Sequence, residues 1–569
     1  MKKQDTIAAI ATGIGNAGIG IIRISGEDAI VVADKIFKGK DSLMEMESHR
    51  VVYGHIIDTF HNDSGERYAD RAIDGNSVGQ GVGDVFENSL AEQYASGTVG
   101  GASDGKNVDE VLVTVFRAPR SYTREDVVEI SSHGGAYVMQ RILSLVYQAG
   151  ARAAEPGEFT KRAFLNGRID LSQAESVMDI IASDNERMLA NSLRQLDGAL
   201  SSKIRRLRDG ILHETAYIEA ALDDPEHYDL SASRIPFPDT NGVNMEVPLN
   251  VDSEKKARTE MNELYNDEII SGYGKELLYK ISMWKKQISA LSATAEEGRI
   301  LREGLRTVIV GRPNVGKSSL LNMLAREDRA IVTDVPGTTR DTIEEKVRLS
   351  DLVLAITDTA GIRRTDDLVE RIGVEKSVEK LGEADLILFL VDVSEPLTEE
   401  DFYIADKVDT DKTIVIGNKV DLVRMDADEE LQTKEPREAF VENWMDKRGK
   451  IIQKKLFSKK EENEPPFIFL STKNREGVEQ LTDEIRRKCY TENVDNSVDI
   501  FVTNARHARL LRVSEESLSY VEKSIMDGMP EDFWTADLMD AYSSLGEIIG
   551  EEVEDDLVEK VFADFCMGK

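Results

Sequence analysis

The segment from Gly311 to Ser319 reads Gly-Arg-Pro-Asn-Val-Gly-Lys-Ser-Ser and follows the apolar run 307–310. This order predicts a strand that leads directly into a phosphate-binding loop. In such a loop the glycines let backbone N–H groups surround phosphate oxygens. Lys317 neutralises the β/γ charge, and the Ser318 hydroxyl can ligate Mg²⁺. Taken alone, the pattern also allows a glycine turn with a surface lysine.

Three further segments favour a nucleotide site. Asp358-Thr-Ala-Gly361 follows an apolar stretch, so its Asp can hold Mg²⁺ through water and its Gly can bring a peptide N–H to the γ-phosphate. Asn418-Lys-Val-Asp421 is typical of loops that recognise guanine, since its Asp accepts from the ring N–H and exocyclic amine of that base. Ser471-Thr-Lys473 stands where a second base-contacting loop is expected. Order and spacing predict a Ras-like domain that binds and hydrolyses GTP.

The residues from Thr333 to Asp341 are predicted to form the first switch loop, with Thr339 as a Mg²⁺ ligand when the γ-phosphate is present. The predicted GTP contacts are Asn314, Val315, Gly316, Lys317, Ser318, Ser319, Thr333, Asp334, Val335, Pro336, Gly337, Thr338, Thr339, Asp358, Thr359, Ala360, Gly361, Asn418, Lys419, Val420, Asp421, Ser471, Thr472 and Lys473.

The position after Gly361 is the apolar Ile362, where Ras-like hydrolases often carry a glutamine that orients water. Hydrolysis is therefore slow, or another group does this work. Asn314 offers one alternative, because an Asn in the phosphate loop can help to cage a potassium ion that supplies positive charge. An acid between Asp366 and Glu370 could orient water, although a solvated helix face is the simpler explanation for any one of these acids.

The composition sets wider limits. A chain of 569 residues is expected to form two to four domains. It has no apolar run long enough to span a membrane, and its N-terminus lacks the apolar core of a signal peptide. Its two cysteines, Cys489 and Cys566, suit the cytoplasm. The net charge of −35 argues against a nucleic-acid-binding surface on this chain.

The pattern along the chain predicts a multidomain protein that combines α/β and all-α parts. Strand-like runs occupy residues 5–58, and helical periodicity begins at Leu171. A single amphipathic helix is predicted from the stripe Leu189, Leu193, Leu196, Leu200, Ile204, Leu207 and Ile211. The predicted domains are an N-terminal α/β domain at 1–130, a helical domain in two parts at 131–305 and 493–569, and the GTPase domain inserted at 306–492.

Several flanking segments resemble the bacterial tRNA-modification GTPase family MnmE, also called TrmE. They are the N-terminal 5–12, Arg23-Ile-Ser-Gly26, Ser121 to Glu129 with the following His-Gly-Gly, Pro156 to Leu171, and the terminal Cys-Met-Gly-Lys569. The likeness covers nearly the whole chain apart from about 60–106, 231–266 and 427–464, which are interpreted as insertions.

The resemblance implies a homodimer whose N-terminal domain binds a tetrahydrofolate derivative, in the 5-formyl or 5,10-methylene form, and whose GTPase is stimulated by potassium. It implies folate contacts at Arg23, Glu129, Arg168 (where the family usually has Lys) and Lys569. It places potassium ligands at Asn314, Thr333, Val335 and Thr338, magnesium ligands at Ser318 and Thr339, and catalytic roles at Lys317 and at Glu370, which would orient water.

The resemblance also implies a cytoplasmic partner, the flavin-dependent protein MnmG, in a heterotetramer that installs an aminomethyl-type group on carbon 5 of the wobble uridine of certain tRNAs. Because the chain is so acidic, we expect MnmG to supply much of the RNA-binding surface. Cys566 is interpreted as a structural thiol. The alternatives are a GTP-switch ribosome-assembly factor and a folate-binding aminomethyl carrier with a merely regulatory GTPase.

Overall fold

The computed structural model describes residues 5–13, 15, 17–60, 106–225, 272–327, 344–349, 352–357, 380–422, 437–458, 464–489, 500–552 and 561–562. The chain divides into two compact units, one of residues 1–178 and 546–569 and the other of residues 179–545. Within the described ranges, no helix combines the length and the apolar character needed to cross a membrane.

The first unit contains a seven-stranded sheet of order β3-β4-β5-β6-β2-β1-β7. Its neighbours pair antiparallel, except for β1 and β7, which run parallel. The strands are β1 Ile7–Ile10, β2 Ala17–Ser25, β3 Phe37–Gly39, β4 Arg50–Asp58, β5 Lys106–Phe116, β6 Val127–Gly134 and β7 Arg152–Ala153. The helices are Ala29–Asp34, Ala136–Ala149, Glu158–Leu165 and Leu171–Ile181, the last of which ends just inside the second unit.

The predicted boundary at residue 130 lies too early. The helix Ala136–Ala149 packs its buried Ile142 and Leu145 into the same core as Ile24 and Ile130 of the sheet. The chain then returns to the sheet as β7. The N-terminal unit therefore continues to Met178 because these later elements cover and extend the first sheet.

The second unit begins with helices and contains a second sheet. The helices outside the sheet region are Glu186–Leu196, Ala199–Asp223, Gly272–Ala293, Ala295–Glu303, Ala505–Met526 and Glu531–Ile549, of which the last crosses into the first unit. Asn504 caps Ala505–Met526, since its side chain accepts a hydrogen bond from the Arg506 N–H. The long helices on either side of the second sheet in sequence, Gly272–Ala293 and Ala505–Met526, contact each other. The helical part is thus discontinuous in sequence, as predicted.

The single helix predicted from Leu189 to Ile211 is broken in the structure. Gly198 takes a left-handed φ of 85° and separates Glu186–Leu196 from Ala199–Asp223. In the second helix Leu200 and Ile204 are buried as expected, but in the first Leu189 and Leu193 are 38% and 45% exposed. The break rotates the first helix so that polar side chains face inward, and these hydrogen-bond to the backbone of Phe501.

The second sheet has the order β13-β12-β11-β8-β10-β9, with parallel neighbours except for the antiparallel pair β9 and β10. Its strands are β8 Leu305–Val310, β9 Glu344–Leu349, β10 Leu352–Thr357, β11 Leu386–Asp392, β12 Thr413–Asn418 and β13 Phe467–Phe469. The helices of this region are Lys317–Glu327, Glu399–Lys407, Arg437–Leu456 and Val478–Cys489. All seven residues of β11 are buried, as a central parallel strand requires.

Part of the segment interpreted as an insertion at 427–464 belongs to the core of this second sheet. The helix Arg437–Leu456 places Leu456, followed by Phe457, in an apolar cluster with Phe389 of β11 and Val415 of β12. The spacing between the predicted motifs gives no sign of this helix, because nine of its twenty residues are charged and none belongs to a motif.

Candidate guanine-nucleotide site and N-terminal ligand cluster

The phosphate loop connects the end of β8 to the helix Lys317–Glu327, as predicted. Asn314 and Gly316 take left-handed φ values of 62° and 103° and turn the loop around its own backbone. The Lys317 Nζ donates to the carbonyl oxygens of Gly311 at 2.7 Å and Arg312 at 2.9 Å. The loop leads directly into the N-terminus of this helix, which is an arrangement that binds phosphate.

Asn418 joins the phosphate loop to both base-contacting segments. Its buried side chain donates from Nδ2 to the Val315 carbonyl at 2.7 Å and accepts at Oδ1 from the Thr472 N–H at 3.2 Å. Gly316 makes this approach possible, since a Cβ there would lie 2.3 Å from Asn418 Nδ2. Segments more than 50 and 100 residues away from Asn418 are brought to one place by a single amide.

The residues expected to recognise the base are also close together. The Ser471 hydroxyl donates to Asp421 Oδ1 at 2.8 Å and holds that carboxylate in place. Ser471 and Glu476 form a β-bridge that closes the turn carrying Thr472 and Lys473. Asp421 and the Ser471 turn therefore face the same side of the sheet, at the carboxyl ends of β12 and β13.

One residue of this site is missed by the sequence motifs. Asp392, at the end of β11, lies 2.6 Å from the Lys419 Nζ and is almost fully buried. Its other oxygen accepts from the Ser394 N–H and hydroxyl at 2.9 and 2.6 Å. Burial raises the pKa of this carboxyl, but the hydrogen bonds from Lys419 and Ser394 outweigh burial and leave the pKa below its ordinary value. The sequence signal that could have identified Asp392 is an acid at the end of the apolar run of β11.

Lys419 itself has a left-handed φ of 67°, a conformation that costs a non-glycine residue about 1 kcal/mol or more. The ion pair with Asp392 holds Lys419 in that conformation, between the two residues expected to contact guanine. The strand register places Asp392 directly opposite Asn418. Asp392 thus supports the guanine-recognition loop from the end of the neighbouring strand, β11.

Of the predicted GTP contacts, the structure describes the phosphate loop and both base-contacting loops. The other predicted residues lie outside the described ranges: Thr333, Asp334, Val335, Pro336, Gly337, Thr338, Thr339, Asp358, Thr359, Ala360, Gly361, Glu370 and Lys569, as well as Cys566. Asn314 is exposed on the loop and Ser318 lies in the first turn of the following helix, so both stand beside the expected phosphates. The amide oxygen of Asn314 and the hydroxyl of Ser318 are oxygen donors, the type of ligand that Mg²⁺ prefers in proteins.

A second cluster lies in the N-terminal unit. The Arg23 guanidinium on β2 pairs with Glu129 Oε1 on β6 at 2.9 Å. It also lies over the rings of Tyr122 and Phe159, 5.6 and 5.7 Å from their centroids. Arg168 stacks on the same tyrosine ring at 4.7 Å and donates to the Tyr122 carbonyl at 2.9 Å. Arg23 and Arg168 therefore share the ring of Tyr122, which the sequence did not single out, and Glu129 joins them through its pairing with Arg23.

A buried ion-pair network lies next to this cluster in sequence. Arg162 donates to both oxygens of Glu125 at 3.1 Å and to Glu158 Oε1 at 3.0 Å, and Arg152 pairs with both oxygens of Glu158. Ser25, two residues after Arg23, donates to Glu125 at 2.7 Å. Burial raises the pKa of Glu158, but hydrogen bonds from Arg152, the Glu155 N–H and Arg162 lower it below its ordinary value. The acid is thus held ionised inside the fold.

Two observations define the class of this protein. The second sheet has a mostly parallel strand order in which the phosphate loop follows a central strand, β8. Asn418 and Asp421 lie at the same edge, joined to the phosphate loop and to Ser471. A phosphate loop combined with a guanine-type recognition loop on this sheet defines a Ras-like P-loop GTPase.

Comparison with known proteins identifies the family. A family model described as the MnmE helical domain matches residues 171–566, and one described as the GTP-binding protein TrmE N-terminus matches residues 6–168. The chain is 41% identical over 570 residues to the tRNA modification GTPase MnmE of Lachnoclostridium phytofermentans, and 39% identical over 568 residues to that of Bacillus subtilis, with 100% of both chains covered in each case. The chain belongs to the MnmE family of tRNA modification GTPases.

Solved structures include two similar GTP-binding domains. The G domain of the FeoB iron transporter of T. maritima is 21% identical with a TM-score of 0.20, covering 33% of this chain and 99% of that one. Era of Aquifex aeolicus, bound to GDP.AlF4-, is 24% identical with a TM-score of 0.23, covering 37% and 66%. The strand order defines the fold of this domain, and the family matches define the family of the chain.

Proposed function

We propose that this chain hydrolyses GTP as a subunit of a tRNA-modifying complex. The complex adds a carboxymethylaminomethyl or aminomethyl group to carbon 5 of the wobble uridine of certain tRNAs. A tetrahydrofolate derivative supplies one carbon, and a flavin-dependent partner of the MnmG type completes the complex. The chain acts as a homodimer in the cytoplasm.

The observation that carries the GTPase part is the position of Asn418. One amide ties the phosphate loop to the Ser471 turn, so that phosphates and base are bound by a single connected site. Asp421, oriented by Ser471, then accepts from the guanine ring N–H and amine. The tRNA part rests on relatives whose names describe tRNA modification and which match along the whole chain.

Metal ions complete the proposed site. Ser318 and Thr339 would hold Mg²⁺, and Asn314, Thr333, Val335 and Thr338 would hold K⁺, which supplies positive charge beside the phosphates. Lys317 neutralises phosphate charge, and Glu370 orients the attacking water. Hydrolysis measured in potassium and in sodium tests this part. We expect faster hydrolysis in potassium, and an Asn314→Ala variant should lose the difference; equal wild-type rates would count against it.

The folate proposal is supported by the chemistry of the Arg23 cluster. Two guanidinium groups suit the carboxylates of a folate tail, and a carboxylate next to an aromatic ring suits the amidine edge and the face of a pterin. Arg23, Glu129 and Arg168 supply these groups in the described part of the chain, and Lys569 is proposed to add another cation.

Mass spectrometry of tRNA nucleosides tests the function as a whole. Cells that lack this chain should lose the wobble modification and regain it with the wild-type gene. Complementation with Asp358→Ala should fail, although this variant keeps its folate binding. Unchanged wobble uridines in the deletion strain would contradict the proposal, and a ribosome-assembly defect in their place would favour an assembly factor.

A further inference from the structure

The C-terminal half of the helix Arg437–Leu456 carries a charge opposite to that of the whole protein. Residues 447–455 read Lys-Arg-Gly-Lys-Ile-Ile-Gln-Lys-Lys, which is five cations and no acid in a chain of net charge −35. This helix lies within the segment that the family resemblance does not explain. A concentrated basic stretch on an acidic protein is unlike a surface selected only for solubility.

Arg448 donates inward to the Val393 carbonyl at 2.8 Å, but the helix directs its lysines, Lys447, Lys450, Lys454 and Lys455, to solvent. Its inner side is fixed by Leu456 in the core and by Gly449, where a Cβ would lie 3.1 Å from the Phe469 ring. The opposite face carries the exposed Lys447 and Lys455 on either side of Ile451, which is 55% exposed. Lys447 and Lys455 are eight residues apart, which is roughly 12 Å along a helix, so the lysines form a row and not a single point of charge.

Next to this row lies a groove of about 600 Å³. One wall is the basic helix, and the other is formed by Leu397 and by Phe402 of the helix Glu399–Lys407. Phe402 is 42% exposed, so its ring is available at the edge of the groove. The groove thus combines cations with an exposed aromatic face.

The acid that lines the groove is already paired. Glu395 accepts from Arg312 Nη2 at 2.7 Å, and Arg312 Nε also lies 3.8 Å from the buried Asp401. Arg312 belongs to the phosphate loop. Glu399 and Glu400 are exposed at the start of the facing helix, so a polyanion would follow the lysine face of the opposite wall.

We propose that this lysine face and groove bind the sugar-phosphate backbone of the tRNA substrate, with Phe402 as a stacking surface for an unpaired base. Lysines in a row neutralise successive phosphates, and an exposed aromatic ring accepts any base by stacking. The inference rests on the proposed function, because it names the surface through which this chain meets its RNA. It also gives an acidic chain a local means of holding a polyanion.

The test compares two variants of the full chain with the same change in charge. Lys447→Gln/Lys455→Gln removes two cations of the groove. Arg486→Gln/Arg487→Gln removes two cations from another helix of the same domain, where each is paired with an acid three residues earlier. Affinity for an unmodified tRNA transcript is measured by filter binding across a range of salt concentrations, together with GTP hydrolysis without RNA.

We expect the groove variant to bind the transcript about three- to tenfold more weakly at low salt, with a shallower salt dependence, since each lost phosphate contact removes about 0.7–0.9 from the slope. The control variant should match the wild type, and both variants should hydrolyse GTP normally. Phe402→Ala should weaken binding without changing the salt slope.

An unchanged affinity and slope in the groove variant would overturn the inference. So would an equal loss in the control variant, or a loss of binding to an acidic protein partner with RNA binding intact. If the wild type keeps the wobble modification in cells and only the groove assignment fails, the proposed function stands. If wobble uridines are unchanged without the chain, the proposed function has failed first.

Discussion

The guanine-nucleotide site and the N-terminal cluster are built by opposite means. The first is made of backbone and short loops at the ends of parallel strands, where Gly316 and Asn418 allow close approach. The second is made of long side chains that meet across β2 and β6 around Tyr122. A backbone site requires particular residues at fixed spacings, whereas a side-chain site requires only that distant residues converge. General motifs with known chemistry can therefore find the first, whereas the residues of the second were named only through resemblance to a family.

The comparison predicts that the N-terminal cluster depends most on its buried support. In Arg162→Met, whose parent side chain is only 5% exposed, Glu125 is left as a buried charge without its cation, and Glu158 keeps only the half-exposed Arg152. We expect a loss of about 3–5 kcal/mol in local stability. Hydrogen–deuterium exchange of peptides from β2 and β6 in the full chain measures it, with the exposed Arg120→Met as control. Slow exchange in the variant would show that the network adds little.

The nucleotide site should depend most on one charge. In Asp421→Asn the carboxylate can no longer accept two hydrogen bonds from guanine, so GTP should bind at least about 100-fold more weakly. The amide donates to a carbonyl, so xanthosine triphosphate should gain affinity. Competition against a fluorescent nucleotide measures both effects. A parallel loss of affinity for both nucleotides would indicate general damage and not a change of base recognition.

A smaller effect is expected at Arg168, in the proposed folate site of the N-terminal cluster. Arg168→Met removes the stacking on Tyr122 and a hydrogen bond to its carbonyl, and reduced folate should bind about tenfold more weakly. Arg168→Lys keeps the charge and should retain most of the affinity. Isothermal titration with 5-formyltetrahydrofolate compares them. Equal affinity in all three proteins would remove Arg168 from the proposed folate site.

The smallest effect is expected at Asp392, the buried partner of Lys419 in the nucleotide site. Asp392→Asn should weaken GTP and GDP binding together by about three- to tenfold, because Lys419 loses its buried partner. The preference for GTP over inosine triphosphate should not change, since Asp421 sets it. In a Lys419→Met background the same substitution should have little further effect. Additive losses would mean that Asp392 acts through Ser394 and the strand end.

The sequence allowed the G domain to be predicted in some detail, because Lys317, Asn418 and Asp421 occupy loops whose chemistry fixes their spacing. Prediction from the sequence failed where tertiary contacts determine which residues are buried. Leu189 and Leu193 follow a helical period, but Gly198 ends the helix and leaves them exposed. The helix Arg437–Leu456 falls in a segment interpreted as an insertion, although Leu456 and the following Phe457 attach it to the sheet.

The candidate sites divide in the same way. Arg23, Glu129 and Arg168 were placed by resemblance to a family, and their convergence on Tyr122 could not be inferred from their separation in sequence. Asp392 was missed because an acid at a strand end has many structural uses. Its role becomes visible only from the distance to Lys419 and from its burial.

The contact between Gly316 and Asn418 has a consequence for how a nucleotide is recognised. The amide that bonds to Val315 also fills the space that any side chain at 316 would need. The two halves of the pocket therefore order together. A guanosine bound at the base-contacting loops would favour the anion-binding conformation of the phosphate loop. A diphosphate bound in the phosphate loop would likewise favour the conformation of the loops that bind the base. Guanosine and pyrophosphate, offered as separate molecules, should help each other to bind, which is heterotropic cooperativity within one small domain.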